Sequence, residues 1–126
     1  MTEAYEFDKR PSNTEQAEAF GRRSTDSVER SIVPGYGPLA SVLQEALNQA
    51  QDGKGKERHA NDKPFLKQPI MEIGRMVGVG YQTGQAMKKA QEAGGMLSRG
   101  EPDRAVAELL GAINYLAAAI MLIREQ

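Results

Sequence analysis

The stretch Gly94-Gly95-Met96-Leu97-Ser98-Arg99-Gly100-Glu101-Pro102-Asp103-Arg104-Ala105-Val106 decides the fold. Ser98-Arg99-Gly100 reads as a turn that closes one helix. Glu101-Pro102-Asp103 opens the next: proline suits a first helical position, where its missing N–H is no loss, and acids favour the positive end of the helix dipole. Upstream, Tyr81 to Leu97 is rich in helix formers, with Ala86, Met87, Ala90 and Ala93 on one side. Downstream, Ala105 to Ile123 reads as the last helix, with Arg124 near its negative end. So short a linker makes the two helices antiparallel neighbours. Pro69 to Gln126 is therefore expected to be a helical hairpin.

The last helix, 102–125, also bears on assembly. Val106, Leu109, Leu110, Ile113, Leu116, Ala117, Ile120 and Ile123 form one broad apolar face, and Ala112, Tyr115, Ala119 and Leu122 make the other side largely apolar too. A helix apolar nearly all round is buried nearly all round. A few short helices of one chain cannot cover it, so a homo-oligomer is expected, with Leu109, Ile113, Asn114, Leu116 and Ile120 in its core. Asn114 needs a hydrogen-bond partner there; pairing with its own copy across the assembly is the expectation, with ligand contact as the alternative. Sixteen of nineteen residues from Ala105 to Ile123 are apolar. The segment is short for a bilayer and carries Glu108 and Asn114, so no membrane span is expected.

Further upstream, Pro69 opens a glycine-rich helical pattern over 69–97. Gly74, Gly78, Gly80 and Gly84 fall within eleven residues, and each costs about 1 kcal/mol against alanine inside a helix. Either the helix breaks near Gly78-Val79-Gly80, or the small residues admit a close neighbour. Before this, Gly53 to Lys63 is a basic, glycine-rich loop. Pro64 and Pro69 bracket Phe65 and Leu66, which are expected to anchor the next helix. An apolar stripe of Leu39, Val42, Leu43, Ala46, Leu47 and Ala50 predicts a shorter helix over 38–51. Pro34-Gly35-Tyr36-Gly37-Pro38 is a turn cluster. Residues 1–33 mix seven acids with five bases and few apolar groups, and read as a weakly structured arm that is either mobile or docks on a partner. The expected architecture is all-α: an arm, then a helical domain over 34–126.

Composition narrows the chemistry. The chain has 126 residues, 16 Lys and Arg against 17 Asp and Glu, one histidine and no cysteine. The near-zero net charge gives no general attraction to nucleic acid or membrane. Without cysteine there is no disulfide, zinc–thiolate site or thiol nucleophile, which fits a reducing cytoplasm. Met1 to Arg10 is polar and does not resemble a secretory signal. The lone His59 and scattered acids specify neither a metal site nor a catalytic triad, so neither catalysis nor a cofactor is expected.

The densest chemistry is basic. Lys54, Lys56, Arg58, His59, Lys63 and Lys67 come from the loop, and Arg75, Lys88 and Lys89 from the helix beyond it. Loop glycines expose backbone N–H groups, and Arg and Lys make charge-assisted hydrogen bonds to phosphate. Tyr81 offers a ring to stack on a base, and Gln82 an amide to read its edge. Of these, Lys54, Lys56, Arg58, His59, Arg75, Tyr81, Gln82 and Lys88 are the candidate ligand site.

Two resemblances extend the reading. Ala107-Glu108-Leu109-Leu110-Gly111-Ala112-Ile113-Asn114-Tyr115-Leu116 resembles the second metal-binding helix of the all-α nucleoside triphosphate pyrophosphohydrolases, the MazG and dUTPase class. Gly111 stands where that family has its second acid, and the preceding helix has Glu72 and Glu92 but no acid pair. Gly53 to Ala60, Pro64 to Ile70, Gly84 to Ala90 and Glu108 to Leu116 resemble small proteins encoded by phages and prophages. In size, hairpin and expected assembly the chain is similar to phage helical-hairpin sponges, which sequester cyclic-nucleotide or cyclic ADP-ribose immune signals. That resemblance implies a non-enzymatic, oligomeric protein of the bacterial host cytoplasm that binds a phosphate-bearing nucleotide and counteracts host immunity. The alternative is a protein–protein inhibitor acting through the N-terminal arm.

Overall fold

In a computed structural model, residues 32–52 and 63–126 are described. The expected arm and the basic loop therefore lie almost wholly outside the described residues. Among those described, the chain is all-helical: α1 (Gly37–Asp52), a 3₁₀ turn (Phe65–Lys67), α2 (Pro69–Val77), α3 (Gly80–Ser98) and α4 (Pro102–Arg124). Residues up to Ala40 and residues from Ser41 onward form separate compact units. In the first, Tyr36 N–H donates to Val33 O at 3.0 Å across the Pro34-Gly35 turn.

In the second unit, α3 and α4 pair antiparallel along their length, and the turn joining them has a definite chemistry. Glu101 N–H donates to Met96 O at 2.9 Å and Gly100 N–H to Leu97 O at 3.1 Å. These are the two bonds of a Schellman cap, which needs a left-handed residue. Gly100 supplies it with φ 74°. Glu101 then ion-pairs with Arg99 at 3.4 Å and Arg104 at 3.3 Å.

The glycine-rich pattern over 69–97 is two helices, the break near Gly78-Val79-Gly80 being one of the two readings its glycines left open. The break falls at Gly78, whose φ of 102° and ψ of 168° are open only to glycine at low cost. Gly74 and Gln82 explain the rest of this joint. Gln82 is fully buried, and its Nε2 donates to Ile70 O at 2.9 Å. A Cβ on Gly74 would run into the Gln82 amide. The glycine on α2 thus makes room for the side chain by which α3 holds α2.

The core is built on small residues. Ala105, Gly111, Ala112, Ala118, Ala119 and Leu122 are the buried residues of α4. Near the turn, Ala93 and Met96 pack on Ala105. At the other end, Met71 meets Ala118 and Leu122, with Phe65, Ile70, Val79 and Met121 around them. The large side chains of α4 point the other way: Val106, Leu109, Leu116, Ile120 and Ile123 are all exposed.

Candidate functional site

Two side-chain amides fix α1. Asn114 Nδ2 donates to Ala46 O at 2.9 Å, and Gln49 Nε2 donates to Ala107 O at 3.1 Å. Ala46 is the buried residue of α1. Asn114, expected to face its own copy in an oligomer core, is instead used within the chain. Its donor bond satisfies a carbonyl 68 residues away, a pairing that no local pattern announces.

This arrangement leaves an open cleft of about 590 Å³ beside Asn114. Leu47, Ala50 and Gln51 of α1 form one wall, and Ala117 and Met121 of α4 another. Lys63, Pro64, Phe65 and Gln68 close the third side. Gln68 Nε2 donates to Lys63 O at 2.9 Å and so fixes the backbone leading into that side. The walls are mostly apolar, with amides and one lysine at their edges.

Of the residues singled out from sequence, Lys54, Lys56, Arg58 and His59 lie outside the described residues. The other four do not converge, and none lines the cleft. Arg75 gives Nε and Nη2 to the two carboxylate oxygens of Glu125, at 2.9 and 2.7 Å, and Nη1 to Leu66 O at 2.8 Å. Three of its five N–H donors are spent on the fold. The Arg75 hydrogen bond holds the Glu125 carboxyl below its ordinary range, and Glu125 raises the Arg75 guanidinium in turn. Gln82 is sealed in the α2–α3 joint, where its Oε1 has no donor among the described residues. Tyr81 stands edge-on to Tyr115, with ring centroids 6.0 Å apart. Lys88 is exposed and 4.0 Å from Glu92, a helix-surface pair.

A second polar cluster is built on Lys89, which the sequence reading placed only in the basic patch. Lys89 of α3 lays its stem over Gly111, where a Cβ would stand 3.1 Å from Lys89 Cδ. Its Nζ reaches Glu108 Oε1 at 3.4 Å and lies 6.0 Å from the Tyr115 ring centroid. Gly111 is the position at which the pyrophosphohydrolase pattern carries an acid. Here a cation crosses that position and pairs with Glu108. Among the described residues, no three acids or histidines converge as a metal-binding group. The only sequence signal for this crossing was Gly111 itself, a glycine in mid-helix.

By length and composition α4 is apolar enough to cross a membrane. No family model, curated protein or solved structure matches this chain.

Proposed function

We propose that the protein is a non-enzymatic binding protein that takes a phosphate-bearing nucleotide into the cleft between α1 and α4. One observation carries the reading: Gln51 and Lys63 both line the cleft, and Lys54, Lys56, Arg58 and His59 lie between these two residues in the chain. The residues that flank a basic, glycine-containing stretch of sequence thus both lie at an apolar cleft. Apolar walls with a few polar groups at their edges suit a nucleobase. Cations beside exposed backbone N–H groups suit its phosphates. Signalling nucleotides such as cyclic oligonucleotides and cyclic ADP-ribose derivatives combine both features. Holding one of them without turnover would sequester it, the behaviour of a phage-encoded sponge.

Titration calorimetry of the intact protein with cyclic di- and trinucleotides and ADP-ribose derivatives tests this. Binding is expected to weaken as salt rises, because phosphate contacts are screened. Phe65→Ala and the triple exchange Lys54→Ala, Lys56→Ala, Arg58→Ala are each expected to weaken it at least about tenfold, or roughly 1.4 kcal/mol. Absence of heat with every ligand would sink the proposal.

A further inference from the structure

The outward face of α4 has a register that its inward face lacks. Val106, Leu109, Ile113, Leu116, Ile120 and Ile123 are separated by three, four, three, four and three residues. This is the 3-4 repeat of a two-helix seam. Five of the six are 41–56 % exposed, and Ile113 is half-buried. The hairpin leaves the seam open because α3 covers the alanine face, while α1 is held at Asn114 and Ala107, to one side.

From this register we infer that a second copy of the chain docks on the seam, α4 against α4, antiparallel, about a two-fold axis passing between Ile113 and Leu116. The sequence is self-complementary in that arrangement. Val106 falls opposite Ile123, Leu109 opposite Ile120, and Ile113 opposite Leu116, each in both directions, as an isologous contact requires. Charge sets the orientation. Asp103 and Arg124 flank the seam at its two ends, on the same edge, and the antiparallel pairing brings each beside its opposite on the other copy. It also opposes the two helix dipoles. β-branched residues alternating with leucine would suit a parallel pair as well, but that pairing turns the Asp103–Arg124 edge toward the partner's alanine edge and makes no such charge pair. Between those ends the same edge carries Leu110 and Ala117, while the other edge is Ala105, Ala112 and Ala119, already covered by α3. Leu110 and Ala117 bring no charge into the contact.

A bilayer is a poorer occupant. The face of α4 away from the seam carries Glu108 paired with Lys89, and it is covered by a helix with Lys88, Gln91 and Glu92 on its exposed surface. The docking does not depend on the proposed nucleotide site, so either can fail without the other.

The chain has no cysteine, which makes crosslinking clean. Leu109→Cys mixed with Ile120→Cys is expected to give a mixed disulfide under mild oxidation, and neither variant alone an equal yield. Sedimentation of the full chain at micromolar concentration is expected to show a dimer or an even multiple of it. Ile113→Asp is expected to lose that dimer contact while keeping its helical circular dichroism. Self-crosslinking of Leu109→Cys in preference to the mixture would overturn the proposal, as would a monomeric or trimeric wild-type chain. Flotation of the wild-type protein with phosphatidylcholine–phosphatidylglycerol vesicles, with loss of self-association, would assign the seam to lipid instead. If Ile113→Asp unfolds, the milder cysteine exchanges decide the matter.

Discussion

The two long sides of α4 differ in the size of their side chains more than in their polarity. The side turned to α2 and α3 is alanine and glycine, with Leu122 at its end; the opposite side is valine, leucine and isoleucine. In most amphipathic helices the large apolar groups face the chain's own core. Here they face out, and the contact within the chain is a close one between small residues. Close contacts gain much of their stability from packing and leave little slack for added volume. The outward side chains keep about half of their surface for another partner to cover, at about 25 cal/mol per Å².

Substitutions separate these roles. The largest effect is expected from Met71→Ala, because Met71 is fully buried against Ala118 and Leu122. The exchange should cost about 2–5 kcal/mol, measured by urea unfolding, since the cavity sits where small neighbours cannot fill it. A cost near zero would mean that the inward side does not hold the hairpin. Ile113→Asp, on the other side of the same helix, should by contrast leave folding intact.

Next comes Gly74→Ala. The new methyl would displace the buried Gln82 amide and strand it without its acceptor, for roughly 1–3 kcal/mol. Following it with Gln82→Ala removes the obstacle, so the double variant should cost less than the sum of the single ones; strict additivity would show that the two side chains do not meet.

The smallest effect belongs to Arg75 and Glu125, which tie α2 to the end of α4. Both side chains are about one-third exposed, at 36 % and 35 %, and such pairs contribute little. The folded state holds the Glu125 carboxyl below its ordinary range. Its contribution is therefore present above the unfolded carboxyl value and lost as pH falls through the folded one. The melting-temperature difference between wild type and Glu125→Gln should be largest near neutral pH and vanish in acid.

Much of the fold was legible because its signals were local. Gly100 and Pro102 mark the turn through backbone conformation alone, and the alanine and leucine spacing marks the helices. The break at Gly78 was visible only as an excess of glycine. Glycine permits a left-handed residue without demanding one, and what commits the joint is Gln82 reaching back to Ile70. The candidate site was less legible. Arg75 and Gln82 have the right chemistry for a ligand, but their partners, Glu125 and Gly74 with Ile70, come together only through the fold. Asn114 has the same history: its chemistry was plain, its partner on α1 was not. The cleft lies beside Asn114, where the fold brings together Leu47, Phe65 and Met121 from three separate stretches.

The joint at Gly78 has one more consequence, for the order in which the hairpin loosens. Val79, at the start of α3, offers no side-chain acceptor to the first-turn amides, whereas the Schellman cap satisfies the far end of the same helix. Protection from hydrogen exchange follows such differences in local closure. Hydrogen exchange is therefore expected to be faster at the first-turn amides of α3 than at the capped amides of Gly100 and Glu101.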